Sequence, residues 1–312
     1  MLLNPVYNID TDPSSSPHRY WRVRSLMNQT GGASVSANSC AELEFRATPG
    51  GADQTTGGTP SASTIFSGSF PASNAFDNNG ATFWVSSNIQ ADYGTHWIEY
   101  DFGTPVYVRE ISWAKRPDSF GQNEGIILGA VQWSDNDLNW TSSWGFITPP
   151  NWPTGAQTRV FTKPAVPLVK RFWRVRVTAC QGGSSTVPSF ADVQFRGAPG
   201  GADLATGGQA IASRTAGYSV IDNAFDGSDT TFWFADAAVS SQPWIGYAFA
   251  DETEIVEIAL RNRNDSFGAA QGITAGTVQS SLDGINYVDE WSFTSPATWV
   301  NNAAETRVFT KP

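Results

Sequence analysis

Cysteine and histidine are scarce: the 312-residue chain has two of each, Cys40 and Cys180, His18 and His96. Two cysteines cannot build a disulfide scaffold. They fall at non-equivalent places in the repeat described below, and both read as small buried thiols. Two histidines leave little for a histidine-based metal or catalytic centre. Basic residues are outnumbered, with Lys+Arg at 19 against Asp+Glu at 29 and a formal net charge of −10. A nucleic-acid binder would need a basic face to neutralise phosphate, and docking on an anionic membrane needs the same sign. No stretch approaches the ~20 apolar residues of a membrane span. The start, Met1-Leu-Leu-Asn-Pro-Val-Tyr7, lacks the basic segment, apolar core and cleavage pattern of a signal peptide, so export by that route is not expected. There is no Ser/His/Asp order, glycine-rich phosphate loop or nucleophile elbow, so an enzyme is not expected either.

Aromatics and turn formers are plentiful: 13 Trp, 19 Phe, 8 Tyr, 29 Gly and 18 Pro. That composition folds, and with few Leu/Ala/Glu/Lys runs it reads as all-β with many turns.

The chain repeats itself. Arg19-Tyr-Trp-Arg-Val-Arg24 recurs as Arg171-Phe-Trp-Arg-Val-Arg176, and Gly50-Gly-Ala-Asp53 as Gly200-Gly-Ala-Asp203. Asn74-Ala-Phe-Asp77 recurs as Asn223-Ala-Phe-Asp226, Thr82-Phe-Trp84 as Thr231-Phe-Trp233, and Asp118-Ser-Phe-Gly121 as Asp265-Ser-Phe-Gly268. Thr158-Arg-Val-Phe-Thr-Lys-Pro164 recurs at residues 306–312. The offset drifts from 152 to 147 residues, as short loop insertions on a shared framework would make it. Each unit is domain-sized, so this is a tandem duplication and not a solenoid. The expected organisation is a tail over 1–18, a β-sandwich over 19–164, a Pro/Val-rich joint over 165–170 and a second β-sandwich over 171–312.

Strand patterning is strong within each unit. Tyr20, Arg22 and Arg24 alternate with Trp21 and Val23; Trp97, Glu99 and Asp101 alternate with Ile98, Tyr100 and Phe102. The run from Val106 to Ala114 alternates in the same way and reads as one strand. Period two with β-branched and aromatic residues makes strands with one buried face. Asn78-Asn-Gly80 and Asp283-Gly284 are among the turn signals between them. Two jelly-roll sandwiches are the economical architecture.

The ordered set Ala62-Ser63, Asn74-Ala-Phe-Asp77, Thr82-Phe-Trp84 and Trp97-Ile-Glu-Tyr-Asp-Phe102 resembles the coagulation factor V/VIII type C, or discoidin, family. So do its second-copy equivalents and Val278-Gln-Ser-Ser-Leu-Asp-Gly-Ile-Asn-Tyr287. That family includes family-32 carbohydrate-binding modules. The resemblance implies a galactose-binding-like jelly roll, a non-catalytic adhesive role and often a structural calcium. In the family, a strand like Arg-Tyr-Trp-Arg-Val-Arg and a segment like Ala41-Glu-Leu-Glu-Phe45 usually close the domain; here they open each unit. Either each unit is a locally closed, circularly permuted sandwich, or 50–196 forms a conventional domain and 19–46 completes 200–312. The first closure keeps connections local.

For calcium (Ca2+) the resemblance points to the loops holding Asp77, Asn79 and Thr82 in the first unit, and Asp226, Ser228 and Thr231 in the second. It adds Glu42 and Asp192 as the acids of the Ala-Glu segment position. Oxygens at such spacings can also simply cap a turn. For a sugar, it points to Arg116 and Arg263 before the Asp-Ser-Phe-Gly loops, with Phe120 and Phe267 offering a ring to an apolar sugar face. The plainer reading pairs Arg116 with Asp118 and Arg263 with Asp265, with the phenylalanines closing the core edge. On either reading these arginines are expected to be exposed and to add little to stability. Val85 and Phe234 stand where galactose binders of the family often carry His, which counts against galactose itself; His96 reads as a loop residue.

Adhesive sandwiches work outside cells. A virion protein, assembled in host cytoplasm and released by lysis, reconciles that with the missing export signal. The expected role is a phage-type tail-fibre, baseplate or head-decoration protein, oligomeric in its assembly. Its partners would be a host-surface glycan or neighbouring virion proteins, with no nucleic acid and no membrane insertion. The alternatives are an extracellular bacterial lectin or a scaffold without a sugar site.

Overall fold

The alternating segments become strands, arranged as two matching sets. The computed structural model describes residues 16–29, 37–87, 94–148, 152–165, 170–213, 215–216, 219–295 and 298–312. Most of the expected tail and joint (1–15 and 166–169) lies outside the described residues.

The first half contains β1 (His18–Asn28), β2 (Ser39–Cys40), β3 (Glu42–Arg46), β4 (Thr59–Ala62), β5 (Trp84–Val85), β6 (His96–Val106), β7 (Glu110–Ala114), β8 (Ile126–Ser134), β9 (Thr141–Ile147) and β10 (Thr158–Thr162). The second contains β11 (Phe172–Cys180), β12 (Ser189–Phe190), β13 (Asp192–Arg196), β14 (Gln209–Ala212), β15 (Trp233–Phe234), β16 (Trp244–Ala248), β17 (Glu257–Arg261), β18 (Ile273–Ser281), β19 (Tyr287–Thr294) and β20 (Thr306–Thr310). A one-turn helix precedes β8 and another precedes β18: α1 (Gly121–Glu124) and α2 (Gly268–Gln271). The chain is all-β, with every named strand pair antiparallel.

Each half has a five-stranded sheet, ordered β4-β6-β1-β8-β9 and β14-β16-β11-β18-β19. Each also has a three-stranded sheet, β10-β7-β3 and β13-β17-β20, and a two-stranded one, β2-β5 and β12-β15. The strand that opens each half sits at the centre of its large sheet. Trp21 of β1 lies opposite Tyr100 of β6 and Trp133 of β8, and Trp173 of β11 lies opposite Tyr247 and Ser280. All these sheets draw their strands from one half only.

The buried faces of the sheets meet in the core. Phe45 of β3 packs edge-on against Phe102 of β6, and Phe146 of β9 stacks on Phe161 of β10 at 4.2 Å. Trp21, Trp84 and Trp152, and their counterparts Trp173, Trp233 and Trp299, are fully buried. Their indole N–H groups find acceptors, as most buried polar groups do: Trp152 and Trp299 each donate to the first carbonyl of the strand after the one-turn helix, Ile126 and Ile273, at 2.8 Å.

Three details differ from the sequence reading. The run 106–114 is not one strand. β6 ends at Val106 and β7 starts at Glu110, because the chain crosses there from one sheet to the other with Val108 buried at the corner. His96 is not a loop residue; it begins β6, buried opposite Ser25. His18 belongs to β1 and not to the tail, stacked on Trp133 at 3.4 Å with Nδ1 3.0 Å from Asp135. Cys40 and Cys180 are buried free thiols.

Candidate functional site

The Asp-Ser-Phe-Gly segment builds the same small structure in both halves. Asp118 Oδ1 accepts the N–H of Phe120 at 3.2 Å, and Asp265 Oδ1 accepts that of Phe267 at 2.9 Å. These turns lead into α1 and α2. The glycine is required by close approach: a Cβ at Gly121 would stand 2.1 Å from the Arg116 carbonyl oxygen, and one at Gly268 2.3 Å from that of Arg263. The loop is therefore wrapped tightly around its arginine.

Each guanidinium is enclosed. Arg116 bonds Asp118 through Nη2 and donates from Nη1 to Glu124 Oε2 at 2.9 Å. Arg263 bonds Asp265 in the same way and donates from Nη1 to Gln271 Oε1 at 2.9 Å. Arg116 Cζ lies 4.1 Å from the ring centroid of Phe83 and 5.2 Å from that of Phe120; Arg263 Cζ lies 3.8 Å from Phe232 and 5.2 Å from Phe267. Both arginines are buried, 8% and 9% exposed, which corrects the expectation of exposed ion pairs. Their Nε–H groups are buried without a partner among the described residues. The phenylalanines are the exposed members, Phe120 at 59% and Phe267 at 56%, so they do not close the core edge. Each guanidinium therefore lies beside the two rings of an aromatic platform, one of them exposed.

What surrounds the platform differs between the halves. In the second, Phe267, Arg263, Phe232, Phe234, Gln271, Asn223, Thr230 and Thr231 line a cleft of about 390 Å3. In the first, Phe70 stacks on Phe83 at 5.3 Å and stands 6.0 Å from Arg116 Cζ; its counterpart in the second half is Ser219, whose hydroxyl accepts the N–H of Phe234. Phe66, 54% exposed, leans on Phe70, whereas its counterpart is Ala216. Among the described residues, Phe66 and Phe70 thus cover this place in the first half, whereas Ala216 and Ser219 stand there in the second. The roles of Phe70, Phe83, Phe232 and Gln271 were missed in sequence. Phe83 and Phe232 lie inside the repeated Thr-Phe-Trp motif and could have been suspected; Phe70 carries no motif at all.

The two Asp loops also repeat, and residue two of each turn is left-handed, Asn78 at φ 57° and Gly227 at φ 70°. Asp77 accepts the Asn79 N–H at 3.0 Å and the Thr82 hydroxyl at 2.7 Å; Asp226 accepts the Ser228 N–H at 2.8 Å and the Thr231 hydroxyl at 2.6 Å. Glu42 reaches across from β3 and accepts the Asn79 N–H at 2.5 Å. Burial first, and then the neighbouring Asp77, push the Glu42 carboxyl up to about 7. Asp192, at the matching place on β13, is raised by burial as well. Among the described residues no three His, Cys, Asp or Glu side chains converge as a metal site.

Antiparallel sandwiches with loops presenting aromatic and polar groups define a class of non-covalent binding modules. The family model of the F5/8 type C domain matches residues 59–191 and 209–312, and the chain belongs to that family. Domains of this kind are typically binding modules for carbohydrate or protein. The first matched stretch runs through β11 and β12, although β11 pairs with β16 and β18; segment 19–46 lies outside the match. No curated protein matches the chain, and no solved structure does.

Proposed function

We propose that the chain is a glycan-binding adhesion protein whose working site is the cleft at Phe267 in the second half. The observation that carries this reading is the exposed Phe267 ring beside an open cleft edged by Arg263, Gln271, Asn223, Thr230 and Thr231. A ring offers a face to the C–H side of a sugar, and the amides and hydroxyls around it exchange hydrogen bonds with its hydroxyls. Such exchange leaves little net gain per bond, so a single site binds weakly. A repeated display in a larger assembly raises the effective concentration, and a virion appendage made of many copies is the setting we propose. The test is a glycan array, followed by titration of the best polysaccharide into wild type and Phe267→Ala. The reading stands if the variant loses at least about tenfold in affinity, on the scale of one lost platform contact. It falls if no glycan binds or if the variant binds like wild type. Mass spectrometry of phage particles for this chain decides the setting.

Glu42, Asp77, Asn79 and Thr82 of the first half fit a calcium ion. Their donors are all hard oxygens, and neither carboxylate has an ion-pair partner among the described residues. A bound calcium would neutralise the two acids and tie the loop to β3.

A further inference from the structure

We propose that the second half carries its own cation in place of calcium: the guanidinium of Arg261 occupies the role of the metal at the Asp226 loop. Strand register brings it there. Arg261 lies directly opposite Asp192 in the β13–β17 pair, and the corresponding pair in the first half is Glu42 opposite Ala114. Arg261 Nη1 donates to Asp229 Oδ1 at 2.5 Å and to the Gly227 carbonyl at 3.3 Å. Nη2 is 4.0 Å from Asp192 Oδ2, and Nε donates to the Thr306 hydroxyl at 3.1 Å. The guanidinium thus hydrogen-bonds the loop backbone at Gly227 and the loop carboxylate of Asp229, and its charge stands 4.0 Å from the strand carboxylate of Asp192. Two sequence changes occur together. Ala114 is replaced by Arg261, and Gly80, at the equivalent place in the loop, by Asp229. The added positive charge and the added negative charge bond each other.

An arginine differs from a metal in being permanent. It cannot dissociate from the chain, and chelators do not remove it. The two halves therefore divide: one loop is open to a divalent cation and the other is locked. This inference rests on the calcium reading of the first half and not on the glycan reading.

The test is isothermal titration of calcium chloride into the full chain, with melting curves in EDTA and in excess calcium. Wild type and Asp226→Asn are each expected to bind one calcium ion per chain, and Asp77→Asn none. Arg261→Ala is expected to melt about 3 °C lower than wild type in EDTA, and calcium is expected to recover part of the difference. Loss of one bound calcium in Asp226→Asn overturns the proposal. So does an Arg261→Ala variant that melts like wild type in EDTA, or one whose melting calcium does not raise. If Arg261→Ala fails to fold, the Asp226→Asn stoichiometry decides alone.

Discussion

Phe70 stacks on Phe83, ring centroids 5.3 Å apart, at the place where the second half has Ser219 against Phe234. Among the described residues, Phe70 and Phe66 cover the first arginine platform where Ser219 and Ala216 stand in the second. Ser219→Phe is expected to fill the second cleft and lower glycan affinity at least about tenfold, and to lower the melting temperature somewhat because buried Ser219 gives up the hydrogen bond from the Phe234 N–H. Phe70→Ser is expected to open a cleft in the first half. Titration of both variants against the same polysaccharide checks this; equal binding by Ser219→Phe and wild type would remove the cleft from the argument.

The two arginines are not equivalent in stability. Arg116 answers two acids, Asp118 and Glu124, whereas Arg263 answers Asp265 and the neutral Gln271. Glu124 is 8% exposed, and burial raises its pKa against the pull of Arg116. Arg116→Ala leaves that carboxylate buried without its cation, at a cost of about 3 kcal/mol. Arg263→Ala strands only a neutral amide and a half-exposed acid, at about 1–2 kcal/mol. Urea denaturation of both variants checks the order, and adding Glu124→Gln to Arg116→Ala is expected to recover part of the loss.

The raised acids of the first half are expected to make stability fall as pH rises, against the opposite contribution of His96, whose pKa burial lowers. Glu99 is buried on β6 and its carboxyl is pushed up to about 7, by burial first and then by Asp137, with Arg22 pulling the other way. The folded chain holds this proton more tightly than the unfolded chain does. Its stabilising effect is complete below the ordinary glutamate range and is lost as pH climbs from about 4.5 towards 7. Glu42 acts in the same direction. Melting temperature in calcium-free buffer is expected to fall across that window, and Glu99→Gln is expected to flatten the slope. A Glu99→Gln profile parallel to wild type would show that the proton resides elsewhere.

The strand pairings, each within one half, lead to a prediction about folding units. We propose that residues 16–165 and 170–312 are separate domains, and each fragment expressed alone is expected to melt cooperatively. Trp21→Ala is expected to cost the first fragment about 3–5 kcal/mol and to leave the second unchanged. If the strand order in which 19–46 completes the second unit held instead, fragment 50–196 would fold and 16–165 would not.

Much of this architecture was legible in the chain because its causes are local. Alternation across residues 20–24 and 97–102 depends only on strand period, and the glycine of Asp-Ser-Phe-Gly depends on a loop closing over the carbonyl of the arginine just before it. The repeat marked Arg116, Phe120, Arg263 and Phe267 as neighbours in each half, and the fold places each pair together. What the sequence could not decide was which side chains would be covered. Both arginines are enclosed by rings, carboxylates and a side-chain amide from several elements. The first platform is covered by Phe70 and Phe66, which no motif marks. Arg261 meets Asp192 only because β13 and β17 pair in one register, a fact of distant chain segments and not of neighbours. Local steric rules write themselves into short motifs; the sign and exposure of a site depend on which strands lie side by side, and only tertiary structure decides that.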